Sequence, residues 1–440
     1  MFSPFLPFTV AVWSMVHRFN MKNFQRYRYS VITLLAIICC CIVFTQCMNN
    51  EKAATSSAYQ KFAGSAACAS CHKNIYEDHK GTAHFHTSEI AAAENIKGSF
   101  EPGKNSYSYP MGGNINMEKR AGGFYQVGYI NGEEKKSERF DITIGAAAEG
   151  QSYASWVGNK LVQLPITFFT STGEWSNSPG YPNRMAFNRP ITSRCLECHA
   201  TYAERTSPPE KDPEEFDRTR MVLGVDCEKC HGPAADHIAY QQQHPDETTA
   251  KFIVNPASFT RQQQLDLCAV CHGGRLQKKT ASFSFKAGDK LADHFTMDTV
   301  GRDVASIDVH GNQYGLMAAS KCFKMSTTLT CNSCHDAHKQ EKDAAATFAH
   351  RCMSCHTGAH DNAPVCKMTA TVDSSVLISN CVNCHMPKQP SMAIAVILQG
   401  QQAPTPALMH THLVKVYPDE TKQILALVKA TQPNPSAAKK

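Results

Sequence analysis

Cys227-Glu228-Lys229-Cys230-His231-Gly232-Pro233-Ala234-Ala235-Asp236-His237 is the stretch from which the rest of the chain is read. Two cysteines three apart are followed at once by a histidine. The same C-x-x-C-H pattern recurs at Cys68/Cys71/His72, Cys195/Cys198/His199, Cys268/Cys271/His272, Cys331/Cys334/His335, Cys352/Cys355/His356 and Cys381/Cys384/His385. A zinc knuckle or an iron–sulfur site needs paired thiolates but has no use for a histidine fixed to the second cysteine. A thioredoxin-like motif would occur once, near a βαβ pattern. Covalent haem attachment uses every position. The two thiols add across the vinyl groups of one porphyrin edge, and the adjacent imidazole becomes the proximal ligand of the iron.

Outward from these motifs, the composition agrees. The chain has 440 residues, 42% apolar and 19% charged, which excludes a long disordered polyelectrolyte. Its 20 cysteines are far too many for a reduced cytosolic enzyme. Fourteen lie in the motifs, Cys39, Cys40 and Cys41 in an apolar leader, and Cys47 just after it. Cys322 and Cys366 remain; in an oxidising compartment they suggest a disulfide, with two buried thiols as the alternative. Of the net charge of +6, four come from Arg18, Lys22, Arg26 and Arg28, with no acid before Glu51. Charge therefore gives no support to nucleic-acid binding.

The leader is a targeting segment. A basic stretch from Met21 is followed by an apolar run, Val31–Thr45, the layout of a secretory signal. Phe44-Thr45-Gln46-Cys47 loosely resembles a bacterial lipoprotein cleavage site, with lipidation on Cys47, although Gln46 stands where a small residue is usual. Ordinary cleavage nearby and an uncleaved anchor are the alternatives. Export to the periplasm, or lipid anchoring on the periplasmic or outer face of a bacterial membrane, follows.

Twelve histidines remain beyond the seven proximal ones and His17. His237 lies six residues after His231, His338 three after His335, and His350 two before Cys352. Proximal and distal ligands occupy opposite faces of a wide macrocycle, so such close neighbours reach a second haem instead. His84, His310 and His412 complete the set of distal candidates.

Six motifs crowd into 195–385 while the first stands apart. The spacing predicts a mostly α fold with extensive irregular structure organised around covalent haems. A small β-rich insertion is expected between the first and second haem sites. There Phe124–Ile130 runs into Asn131-Gly132, a hairpin signal, and Phe140–Ile144 and Lys160–Thr170 read as further strands. Helices are expected at Arg261–Cys271 and Thr421–Thr431. The resulting division is a signal segment at 1–47, a first haem segment at 48–99, the β-rich insertion at 100–189, a six-haem cytochrome c domain at 190–431 and a disordered tail at 432–440.

The opening Gly64-Ser65-Ala66-Ala67-Cys68-Ala69-Ser70-Cys71-His72 with His84, the C-E-K-C-H-G-P-x-x-x-H stretch, the C-N-S-C-H-D-A-H stretch and Cys381-Val382-Asn383-Cys384-His385-Met386-Pro387 carry a resemblance. The chain resembles multihaem c-type cytochromes of the group that includes nitrite reductase, hydroxylamine oxidoreductase and the tetrahaem cytochrome of nitrification, over about Phe62–Tyr417. The resemblance implies close haem pairs, mainly bis-histidine ligation, and distal roles for His84, His237, His338, His350 and His412. The C-x-x-C-K site of nitrite reductase is absent.

Two functions follow. One is an exported heptahaem cytochrome that transfers electrons between redox partner proteins, such as other cytochromes or quinol-linked membrane complexes, through seven covalently held haem c groups. The other is a reductase or oxidase of a small nitrogen or sulfur compound, which needs one iron with an open face. For it the first motif, with Lys73, Tyr76 and Arg120 as pocket residues, is the candidate; no catalytic residue is assigned. The balance leans away from an enzyme.

Overall fold

The computed structural model describes residues 58–297, 303–341, 345–356, 366–370 and 372–431. The signal segment with Cys47, and the tail 432–440, lie outside them. The chain divides into Met1–Gln60 and Lys61–Lys440; everything below lies in the second unit.

The mostly α expectation is not met. The protein is about 30% helix and 26% strand, with several antiparallel sheets. The reason is local. Helices at the motifs are short, five residues at Cys227–His231 and Cys381–His385, while the chain between motifs repeatedly folds back as hairpins. Ala200–Arg205 pairs with Phe216–Leu223, Leu276–Lys278 with Phe295–Met297, and Lys388–Val396 with Thr405–His410.

The largest β region runs from Ser88 to Pro190. Ser106–Ser108, Asn114–Arg120, Gly123–Ile130 and Glu133–Arg139 form a four-stranded antiparallel meander. Its last hairpin, between Gly123–Ile130 and Glu133–Arg139, turns at Asn131 (φ 53°) and Gly132 (φ 80°), the left-handed pair that a tight two-residue turn requires. Beside it lies a seven-stranded sheet that includes Ile142–Ile144, Gly150–Val157, Lys160–Gln163 and Ile166–Phe169. Alternation decides which faces meet: Ile115 and Met117 of the meander pack with Tyr153, Ile166 and Trp175 of the larger sheet. The buried Gln126 side chain clips the two together, donating to the Ile166 carbonyl at 2.7 Å and accepting its N–H at 3.0 Å.

A second apolar cluster joins this β region to the second motif. Ile142, Ala154 and Leu161 pack on Leu196, which stands between Cys195 and Cys198, and on Phe216. Ala269 and Val270, between Cys268 and Cys271, occupy a third cluster with Leu276, Leu291 and Phe295. In both motifs the intervening residues anchor the turn to the protein behind it, and in the fourth motif Cys271 packs at the edge of the same cluster. The Lys388–Val396 hairpin is fastened to the β region by Val396 and Ala407 against Phe169.

Candidate haem-binding site

Each motif forms one helical turn. Ser193–His199, Cys227–His231, Arg261–His272 and Cys381–His385 are helices that end on the motif histidine. In the remaining three the histidine N–H reaches back to the first cysteine carbonyl, from His72 to Cys68 at 2.8 Å, His335 to Cys331 at 3.0 Å and His356 to Cys352 at 3.0 Å. A turn of this kind puts positions i, i+3 and i+4 on one face. Both thiols and the imidazole of every motif therefore share a side. The longest of these helices starts at Thr260, whose hydroxyl and the Gln263 side chain cap each other's backbone.

The thiols behave unlike structural cysteines. A free cysteine ordinarily packs as a small buried hydrophobe. None of the fourteen motif cysteines is buried, and Cys71, Cys195 and Cys355 are exposed. Thiols of different motifs also meet: Cys68 with Cys227, Cys198 with Cys271, and Cys268 with Cys331. Cys198 is pulled down to about 6, first by the hydrogen bond from Cys271 and then by the Arg194 and Lys229 cations. Cys322 feels Cys355, whereas Cys366 acts on Cys381 and Cys384.

Four of the motif histidines are oriented through Nδ1. His231 donates to the Val254 carbonyl at 3.0 Å, His385 to that of Lys415 at 2.9 Å, His199 to that of Thr87 at 3.3 Å, and His272 to Gln313 Oε1 at 3.1 Å. Such bonds set the tautomer and leave Nε2 bare for a metal. None of these four acceptors was recognisable in the sequence, since three are main-chain carbonyls.

Three histidine pairs stand opposite one another. The ring centroids of His231 and His338 are 6.0 Å apart, those of His335 and His412 are 6.1 Å apart, and those of His84 and His272 are 6.2 Å apart. Two imidazoles on opposite faces of one metal ion sit at about this distance: about 2 Å for each metal–nitrogen bond and about 1.1 Å from each nitrogen to its ring centre. Burial holds His84 and His412 at about 4, the neutral form a metal needs, with the partner histidines adding to the effect. Among the described residues no hydrogen bond of ordinary geometry reaches the buried Nδ1 of His412, although the ring interacts with the His410 backbone. The donor set thus fits haem c.

The remaining candidates are placed as follows. His310 lies close enough to His199 and His272 to influence or feel them, and its backbone N–H is fixed by Asp308 Oδ1 at 2.8 Å. His237 donates from Nδ1 to the Lys251 carbonyl at 2.8 Å. His350 is exposed near the end of the helix Ala345–Met353. His79 and His410, which the spacing did not favour, are engaged: His79 Nε2 bonds the Val225 carbonyl at 3.1 Å and His410 Nδ1 that of Met386 at 2.6 Å. Arg120 belongs to the meander surface, bound to Glu118, Glu134 and the Tyr129 hydroxyl.

The segment carrying His84 is a hub. The Val225 N–H bonds the His84 carbonyl at 2.9 Å, the Gly224 N–H bonds Ser88 Oγ at 3.0 Å, and Ser88 Oγ donates to the His199 carbonyl at 2.5 Å. Gly224 has φ +73°, and a Cβ there would overlap the Phe85 carbonyl oxygen. This close approach brings the first, second and third motifs together.

With this geometry in view, the comparisons with known proteins become informative. The family described as "Cytochrome c554 and c-prime" matches residues 67–106 and 176–232, which contain the first three motifs and His84. The crystal structure of the outer cell wall cytochrome OcwA shares the fold, with a TM-score of 0.51 and 18% identity over 82% of this chain and 81% of that one. Together they support a multihaem c-type cytochrome. No curated protein matches the chain. Covalently bound haem c and electron transfer are supported on the same ground. Among the described residues no helix is long and apolar enough to cross a membrane.

Proposed function

We propose that the protein is an exported heptahaem c-type cytochrome that passes electrons through closely packed, mainly bis-histidine haems. The observation that carries this reading is the set of three histidine pairs 6.0–6.2 Å apart, each joining a motif to a distant segment of chain. His72, His199, His231, His272, His335, His356 and His385 would be the proximal ligands. His272 would be paired with His84, His231 with His338 and His335 with His412, leaving His237, His310 and His350 for other irons. Haem c would supply a one-electron iron centre at each motif, its potential set by the axial ligands, burial and nearby charge.

Kinship with the nitrite reductase and hydroxylamine oxidoreductase group belongs to this proposal, as do lipidation at Cys47 and a Cys322–Cys366 disulfide. Location in the periplasm or on an outer membrane face is also part of it, and the outer-cell-wall setting of OcwA is in keeping with that. The partners would be other cytochromes or quinol-linked membrane complexes. Low-temperature electron paramagnetic resonance of the purified holo-protein tests the ligation. Low-spin ferric signals dominating the spectrum are expected. Predominantly high-spin iron that binds nitrite, hydroxylamine or sulfite would replace electron transfer with catalysis.

A further inference from the structure

Adjacent residues of the third motif carry opposite charges in opposite directions. Glu228 is 3% exposed and turns toward the first motif, accepting the N–H groups of Ala63 at 2.8 Å, Gly64 at 2.8 Å and Ala234 at 2.7 Å. Asp226, 5% exposed, accepts from Ser65 at 3.0 Å and Cys227 at 2.5 Å. Two buried carboxylates therefore sit where Cys68 and Cys227 meet; both disfavour negative charge on Cys68, and Asp226 does so on Cys227 as well.

Lys229 turns the other way. Its ammonium donates to the Ala200 carbonyl at 3.2 Å and lies 5.2 Å from the Phe283 ring centre. It acts on Cys198 and Cys271 together with Arg194, whose guanidinium donates to Cys198 Sγ at 3.3 Å and to the Val270 carbonyl at 3.0 Å, and it also acts on Cys230 of its own motif. The opposing charge is Glu197, buried between Arg194 at 3.5 Å and Lys278 at 3.1 Å. Glu197 thus faces two cations, with Lys229 a third near the same thiols, while the buried Asp266 of the fourth motif's helix spends its oxygens on the Gln262 side chain and the Leu291 N–H.

In a low-dielectric interior a fixed charge beside a haem biases its potential: a carboxylate favours the ferric state and a cation the ferrous one. We propose that the Glu228–Lys229 pair polarises the array, Glu228 with Asp226 lowering the reduction potential at the first motif and Lys229 with Arg194 raising those at the second and fourth, while the third motif, which charges of both signs reach, lies between them. The transfer this favours moves one electron from the ferrous centre at the first motif to a ferric centre at the second or fourth. Reductant and oxidant are both haem irons of the same chain, and no bond forms or breaks.

The inference rests on the haem reading above, so its test separates the two. The holo-protein and its variants are first assayed for haem c as the pyridine haemochrome and then titrated by spectroelectrochemistry. Glu228→Gln should raise the lowest midpoints and Lys229→Gln should lower the highest, narrowing the spread from both ends. If Glu228→Gln does not retain its haems, Lys229→Gln and Arg194→Gln, whose charges lie nearer the surface, carry the test alone by the downward shift. Full haem content with unmoved midpoints, or shifts of the same sign in Glu228→Gln and Lys229→Gln, overturns the gradient and spares the haem reading. Absence of haem c removes both.

Discussion

His231 and His338 face each other with ring planes 18° apart and centroids 6.0 Å apart, although His338 is only three residues from the proximal histidine of a different motif. One short segment, His335–His338, therefore serves two sites: His335 opposite His412 and His338 opposite His231. Under the proposed ligation, two irons addressed from four consecutive residues would lie close together, which is the arrangement an electron-transfer array needs.

Replacing His338 with Ala tests this directly. The residue is exposed and its ring nitrogens serve no fold contact beyond a loose approach to Asp336 at 3.8 Å, so stability should change by no more than about 0.5 kcal/mol. Haem content should be unchanged, while one haem equivalent converts from low to high spin in the paramagnetic resonance spectrum. An unaltered spectrum would remove His338 from the ligand set.

Gly224→Ala should be costly out of proportion to one methyl group. The left-handed backbone alone costs a side chain about 1–3 kcal/mol, and the Phe85 carbonyl must also give way. Thermal denaturation should show a lower Tm. Because the His84 loop is displaced from Val225, the low-spin signal of one haem should weaken as well. A variant with wild-type Tm and spectrum would show that the close approach is dispensable.

The β-rich insertion and its turn at Asn131-Gly132 were legible because local signals and tertiary structure agree there. The helix beginning at Arg261 was legible for the same reason, and its cap at Thr260 and Gln263 completes it. The hairpin Ala200–Arg205/Phe216–Leu223 was not. It follows a motif helix without a break, contains bulges between Ala200 and Tyr202 and between Ala203 and Arg205, and its strands are joined by a long polar loop rather than a tight turn. Hence the fold was expected to be mostly α. Spacing singles out His84, His338 and His412 as candidates, but it does not indicate which rings they face. Which rings oppose each other depends on contacts such as Gly224 against Phe85, which spacing along the chain does not encode.

Leu196→Ala tests the seam between the β region and the second motif. Leu196 is 1% exposed among Ile142, Leu161 and Phe216, so the truncation should cost about 2–5 kcal/mol. Chemical denaturation should report that loss while the haem content stays whole. Little change in stability would mean that the motif helix does not depend on the sheet behind it.

Arg120→Gln is expected to leave both the haem spectrum and the haem content as they are. Its guanidinium is committed to Glu118 and Glu134 at 2.8 Å each on the meander surface, and a solvent-exposed network of this kind contributes little to stability. A change in ligand binding or spin state at the first motif would reinstate Arg120 as a pocket residue.

The most direct measurement is the intact mass of the mature protein, taken with its pyridine haemochrome absorbance. Seven haem c groups stitched to the fourteen motif cysteines are expected, in a strongly coloured polypeptide heavier than its amino acids by seven porphyrins. A colourless chain of unmodified mass, or one carrying three haems or fewer, would contradict the account.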